Sequence, residues 1–372
     1  MKCIDIGPPD ASIVLVGEAP GQHEERSGVP FSGPAGNLLK HMLAHAGIDF
    51  NECFVTNVMS VRPPNNDFKY FYEGALPKQT LLDAQQLLRN KIEGIRPKVV
   101  ITLGSEPLKA LCGKSSVTAY RGTWLSFRGI NVMPTFHPSY VLRVFDAHPI
   151  VEHDLLKAVS QRPTNWPPCI VEPSLGDVLR WLDGCQKRVA FDIETIERSI
   201  RCIGFADSRG GISIPFMRFA SSDLTNPLGS KIVKLPSASC SDSPSSYWSA
   251  EDEVRIIDAI QRLLQSGIEV VGHNSISFDA PFILREYGLT IKNHYLDTMH
   301  AWHTLYSEFP NGLDFVSSML TNYPNYWTGK DGKNDLSEWL YNARDCIVTY
   351  DISHIIEQEL KETVVTGSHL YV

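Results

Sequence analysis

The chain has no apolar run approaching the ~20 residues that a membrane-spanning helix requires. Its first residues, MKCIDIGPPDA, lack the apolar centre of a secretion signal. The eight cysteines are scattered and form no Cys-x-x-Cys pair. A chain of 372 residues has core enough to do without disulfide staples, so reduced thiols and a cytoplasmic setting are expected. Phosphate-binding fingerprints are absent where they would be sought first. The apolar run SIVLV leads into VGEAPG (16–21), yet no Lys-Ser or Lys-Thr follows it as a P-loop would need, and no Gly-x-Gly-x-x-Gly does either. The first half also lacks a charge surplus. Residues 1–160 carry 16 Lys and Arg against 15 Asp and Glu, and the remainder carries 18 against 27, for a total of −8. An acidic half is still compatible with nucleic acid when its carboxylates hold divalent cations, because the metals reverse the local field.

Length alone predicts two domains, here 1–159 and 170–372 joined by a Pro-rich linker at 160–169 (SQRPTNWPPC). The first half alternates strand-like runs (ASIVLVGEA, ECFVTNV, PKVVITLG, INVMPTFHP) with amphipathic stretches (AGNLLKHMLAHAGI, LLDAQQLLRNKIEGI). That alternation predicts an α/β fold with a parallel sheet covered by helices, its functional loops at the carboxyl ends of the strands. The second half opens with a helix, SLGDVLRWLDGC, followed by strands RVAFDIE and RCIGFAD. A Ser/Pro-rich stretch (235–249) is expected as a surface loop, and from 250 onward the pattern is mainly helical around a short strand, EVVGHN.

Asp192 and Glu194 stand two apart in VAFDIET, so a strand would aim both carboxylates from one face. Paired anions on one face repel unless a cation sits between them, although a solvated edge strand also tolerates them. Asp279 precedes an apolar helix and alone reads as an N-cap. Tyr341 and Asp345 are four apart on one helical face. In this order, D-x-E, N-x-x-x-F-D and Y-x-x-x-D form a specific set: four carboxylates can hold two divalent ions that activate water and stabilise a leaving 3′ oxygen.

This half resembles the 3′→5′ proofreading exonucleases of the DEDD type with tyrosine, and more narrowly those of phage-type family A DNA polymerases. YWSAEDEVRIIDAI and LDTMHAWHTLYSEFPNGLDFVSSML add to the likeness. The resemblance implies an RNase H-like fold with a mixed sheet. It also implies Asp192, Glu194, Asp279 and Asp345 as ligands of two Mg²⁺ or Mn²⁺ ions, and Tyr341 positioning the attacking water. Asn274 and Phe278 would place the 3′-terminal nucleotide, though Phe278 reads equally as core.

In the first half, VGEAPG is followed by VPFSGPAGNLL, FVTNVMSVRPP and PTFHPSYVLR, with IRPKVVITLG and RGTW between. The set resembles the family 4 and 5 uracil-DNA glycosylases over residues 11–157, which implies a glycosylase-like α/β/α domain. Such an enzyme must extrude the base, distinguish uracil from cytosine, and help a poor leaving group depart. By resemblance, Phe31 stacks on the base and Asn57 pairs with the uracil edge through one donor and one acceptor. His137 donates to the charge developing on uracil O2, and Glu18 orients water. Gly17, Ala19, Pro20 and Gly21 at the strand end, and Ser139 and Arg143 beside His137, would contact substrate. Many relatives hold a [4Fe–4S] cluster on four cysteines. Here Val61 and Ala84 occupy two of those places and Cys3 stands alone, so no cluster is expected.

The expectation is a bifunctional DNA-processing protein acting on uracil-containing DNA and 3′ ends, with a family A DNA polymerase as partner in cis or in trans and no membrane. Its setting would be a cytoplasm, the host's if the source is a phage. Two rivals stay open for the first half: a non-catalytic DNA- or polymerase-binding module, and a glycosylase for another modified base.

Overall fold

The computed structural model describes residues 2–218, 245–329 and 334–366; of the expected Ser/Pro-rich loop, residues 235–244 lie outside them. The chain divides into two units, one comprising residues up to Asn165 together with Asn322–Asn325, the other comprising the rest from Trp166.

The first unit contains β1 (Ile13–Gly17), α1 (Gln22–Ser27), α2 (Pro34–His45), β2 (Phe54–Asn57), α3 (Gln79–Ile95), β3 (Val99–Leu103), α4 (Ser105–Cys112), β4 (Leu125–Phe127), β5 (Ile130–Thr135), α5 (Pro138–Val141) and α6 (His148–Ser160). Its sheet runs β2-β1-β3-β5-β4, parallel throughout except for the edge strand β4. The strands are apolar without alternation because both faces are covered. Leu15, Val55, Ile101 and Met133 enter one core, while Val14, Val16, Val100 and Val132 enter another on the opposite face.

Register fixes where the loops emerge. Gly17 lies opposite Asn57, Val16 opposite Thr102, and Leu103 opposite Thr135. The residues after these positions therefore leave the sheet at one end, around β1, where the chain order reverses and open α/β sheets place ligands.

The second unit contains β6 (Cys169–Ile170), α7 (Leu175–Asp183), β7 (Arg188–Ile196), β8 (Ser199–Asp207), β9 (Gly210–Pro215), α8 (Ala250–Gln265), β10 (Glu269–Gly272), α9 (Asp279–Tyr287), β11 (His294–Asp297), α10 (Thr298–Leu305) and α11 (Asp335–Thr366). The sheet is mixed, in the order β11-β10-β7-β8-β9-β6, with β7, β8 and β9 antiparallel and β10 parallel to both its neighbours. Its core gathers Trp181, Phe191, Ile203, Phe205, Ile212 and Ile260. Helix α11 lies close against β8 because Gly204 has no Cβ; one would come within 2.5 Å of Asn342 Oδ1 and 2.7 Å of Cys346 Sγ.

The α/β class and the strands read from the sequence are present, whereas β4, β6, β9 and β11 had no separate signal, and β6 begins at Cys169, within the stretch expected as linker. Among the described residues no helix is long and apolar enough to cross a membrane.

Candidate active sites

Glu18 follows β1 and is half-buried at the N-terminus of α4. Burial raises its pKa, and nearby Glu106 adds to the rise; hydrogen bonds from the backbone of Glu106 and from Ser105 pull the other way. Gly104 makes this embrace possible. It sits at φ +97°, and a Cβ there would come within 2.5 Å of Glu18 Oε1 and 3.3 Å of His137 Cβ.

Asn57, at the end of β2, faces Gly17 across the sheet. A Cβ on Gly17 would lie 2.3 Å from Asn57 Oδ1 and 2.7 Å from Phe31 Cζ, so the glycine is what lets these two side chains close over the strand end. Phe31 is buried and adopts a left-handed φ of +52°. Gly36 accommodates that backbone, since a Cβ there would fall 1.9 Å from the Phe31 carbonyl oxygen. Glu24 ties down the flanking turns, its Oε1 accepting from Gly33 N–H (2.8 Å) and its Oε2 from Gly21 N–H (3.1 Å).

His137 precedes α5, and its Nδ1 accepts from the backbone N–H of Ser139. Desolvation lowers its pKa to about 4, and Arg143 contributes in the same direction. Its ring centroid is 6.1 Å from that of Phe31. Glu18, Phe31, Asn57 and His137 thus line one cleft of ≈ 210 Å³, together with Ala19, Pro20, Gly21 and Ser139. Arg143 is exposed on the following turn. Sequence reasoning missed Glu24, Gly104, Ser105 and the cleft-lining Phe68; the small-residue turn GSEPL after an apolar strand was the available signal for two of them.

The residues around Cys3 do not fit an iron–sulfur cluster. Its thiol is buried, its pKa pushed up to about 11, and it shares a cavity of ≈ 420 Å³ with Ala84, Thr56, Asp5 and Lys91. Asp5 there accepts from Thr56 Oγ1 (2.6 Å) and pairs with Lys91 (2.5 Å), a set that offers one thiol where a cluster asks for four thiolates.

In the second unit, β7 presents Asp192 and Glu194 from one face, and α11 brings Asp345 to them. One carboxylate oxygen from each of the three lies within 4.8 Å of the others. Asp279, at the start of α9, is buried and accepts from the backbone N–H of Ile193, between the pair, at 2.8 Å. Burial and the neighbouring carboxylates push Asp192 well above the usual carboxylate range, and burial raises Asp279. A divalent cation sharing these oxygens would remove that cost. The donor set, all carboxylate, suits Mg²⁺ or Mn²⁺.

Tyr341 is half-buried one helical turn before Asp345, its pKa raised by burial and by Asp345. Tyr326 donates to Asp345 Oδ1 at 2.5 Å, and Asn342 Nδ2 donates to Asp192 Oδ2 at 2.9 Å while its Oδ1 accepts from Ser213. Neither Tyr326 nor Asn342 was singled out from sequence. Asn274 has φ +60° and donates its N–H to buried Asp297, which also caps α10; Phe278 is 44% exposed, so it is not core.

A profile of the uracil DNA glycosylase superfamily matches residues 4–155. The type-4 uracil-DNA glycosylase of Thermotoga maritima is 39% identical over 158 residues, which are 41% of this chain and 78% of that protein. The DNA polymerase of Bacillus phage SP01 is 23% identical in an alignment of 401 residues, covering 93% of this chain and 40% of that polymerase. Escherichia coli RNase D, an exoribonuclease of known structure, aligns at a TM-score of 0.31 and 14% identity over 55% of this chain and 46% of that one.

Proposed function

The chain belongs to the uracil DNA glycosylase superfamily, and from that premise we propose that its first unit excises uracil from DNA by hydrolysing the N-glycosidic bond. The observation that carries this reading is the convergence of Glu18, Phe31, Asn57 and His137 on one cleft at the carboxyl end of a parallel sheet. The extruded base stacks on Phe31. Asn57 offers one donor and one acceptor to the uracil edge, a pattern that cytosine partly reverses. His137, whose Nδ1 is occupied by the Ser139 N–H, carries its proton on Nε2 and donates to uracil O2 as negative charge develops. Glu18, held at the start of α4, orients the water. Exposed Arg143 meets backbone phosphate.

The test uses labelled single- and double-stranded uracil DNA with EDTA present, which silences a metal-dependent nuclease and spares a glycosylase. Alkali-labile sites that vanish in Asn57→Ala and His137→Ala support the reading. Tight DNA binding with no excision would instead favour a non-catalytic module, and excision of some other base would redefine the substrate.

The second unit is read as a 3′→5′ exonuclease, supported by the gathering of Asp192, Glu194 and Asp345 beside Asp279. Two divalent cations held by these four carboxylates would supply an activated water and neutralise the leaving 3′ oxygen. Tyr341 orients the nucleophile, Asn342 holds Asp192 in place, and Asn274 and Phe278 receive the terminal nucleotide. Loss of metal-dependent 3′ trimming in Asp192→Ala is the expected result; undiminished trimming would sink the assignment. With the likeness to a phage DNA polymerase, this pairing of activities suits repair and proofreading beside a family A polymerase in a host cytoplasm.

A further inference from the structure

Helices α2 and α6 of the first unit pack against each other. Their facing residues include none that either proposed reaction uses. His41 and His45 are four apart on α2, and His148 and Glu152 are four apart on α6, so each pair shares a helical face. Packing joins the pairs. His45 Nδ1 is 2.7 Å from Glu152 Oε1, and His148 Nδ1 is 3.8 Å from Glu152 Oε2. The His41 ring centroid lies 4.2 Å from that of His45 and 6.5 Å from that of His148. A ring nitrogen of His41, one of His148 and an oxygen of Glu152 all fall within 4.8 Å of one another.

We infer that this seam is a binding site for a divalent transition metal, with zinc the natural occupant. Its ligands are His41, His148 and Glu152, and a water takes the fourth position. Zinc bonds of ~2.0–2.2 Å in a tetrahedron set ligands ~3.4 Å apart, so side-chain rotation closes the set while the helices stay where they are. His41 is exposed and the other two ligands are half-buried, which gives the ion an entry path. His45 holds Glu152 through Oε1 and leaves Oε2 for the metal, an arrangement that orients the carboxylate before binding. Phe145, itself exposed, lies beside His148 with ring centroids 5.6 Å apart and 21° between the ring planes.

Imidazole nitrogens select against Mg²⁺ and Ca²⁺, which prefer oxygen alone, and this separates the seam chemically from the all-carboxylate set of the second unit. The ion would tie α2, which follows the Phe31 turn, to α6, which follows the segment bearing His137.

The test uses the full chain, stripped with EDTA, returned to chelator-free buffer, and titrated with Zn²⁺ or Co²⁺ under excess Mg²⁺ to occupy the carboxylates. One tight equivalent is expected, with the intense visible absorption of four-coordinate Co²⁺ and a zinc-dependent rise in the thermal midpoint. His41→Ala, at an exposed position, should keep the metal-free melting temperature and weaken zinc binding at least tenfold; Glu152→Gln should weaken it as well. Asp192→Ala should leave the equivalent intact. If His41→Ala retains full affinity, if Asp192→Ala removes the equivalent, or if Co²⁺ keeps the weak spectrum of six-coordination, the site is overturned.

Discussion

His137 Nδ1 accepts the backbone N–H of Ser139 at 3.1 Å and lies 2.7 Å from Ser139 Oγ; with the hydroxyl also donating to Nδ1, the proton of the neutral imidazole sits on Nε2. The turn that begins α5 thus favours this tautomer through its backbone N–H, before substrate arrives.

A pH profile follows from this geometry. Desolvation, aided by Arg143, lowers the pKa of His137 to about 4, against ~6.5 for a free imidazole. The folded state therefore keeps the ring neutral where the unfolded chain would protonate it. The associated stability is full above ~6.5 and is lost as pH falls through about 4. Uracil excision should accordingly show no His137 inflection near ~6.5 and should fail only toward about 4. Protonation there puts a second donor against the Ser139 N–H. Single-turnover rates across this range check it, and an inflection near ~6.5 that vanishes in His137→Ala would contradict it. His137→Ala itself should slow excision by about 10²–10³-fold.

Gly17→Ala should damage excision while leaving 3′ trimming alone. The new Cβ meets Asn57 Oδ1 and Phe31 Cζ at 2.3 and 2.7 Å, so the side chains proposed to read and stack the base must shift. Misplacement on the scale of 1 Å can cost about 10²-fold in rate. Parallel assays of both activities on the one variant, with a melting curve, give the answer; normal excision would show that Asn57 and Phe31 tolerate the displacement.

Tyr326→Phe and Tyr341→Phe should part company. Tyr326 donates to Asp345 Oδ1 and so orients a carboxylate that would hold the metal. Removing the hydroxyl should raise the Mg²⁺ concentration needed for half-maximal trimming, by about 10–100-fold. Tyr341→Phe should instead reduce the maximal rate at saturating Mg²⁺. Metal titrations of the two variants discriminate them, and identical curves would remove Tyr326 from the site.

Gly204→Ala probes the seating of α11 on β8. A Cβ within 2.5 Å of Asn342 Oδ1 and 2.7 Å of Cys346 Sγ overpacks the contact, with an expected loss of about 1–3 kcal/mol. Because Asn342 also holds Asp192, trimming should fall beyond what the stability loss explains. Chemical denaturation paired with rates at low temperature separates the two effects.

Much of this was legible from residue order. Apolar runs without alternation announced buried parallel strands, and the spacing of Asp192, Glu194, Tyr341 and Asp345 placed each pair on one face of its element. What stayed hidden depends on register and on packing between distant segments. Gly104 acquires meaning only when β3 lies beside β1 and its turn meets Glu18. Tyr326 sits in a stretch without period, and its hydroxyl reaches Asp345 only once α11 has docked. Glu24 looked like any surface acid in a short polar helix, since its partners Gly21 and Gly33 are turn amides with no sequence signature of their own.

Phe31 holds a left-handed φ of +52°, backed by the bare Cα of Gly36. A non-glycine residue there costs roughly 1–3 kcal/mol of strain. In return the ring is already buried before any ligand arrives, so the stacking proposed for it would lose little of the ~0.5–1.5 kcal/mol that ordering a free side chain consumes. The folding of the unit, rather than the binding event, bears the entropy of building this platform. Residues 31 and 36 accordingly form one unit of substitution: a larger residue at 36 dismantles the platform without ever touching DNA.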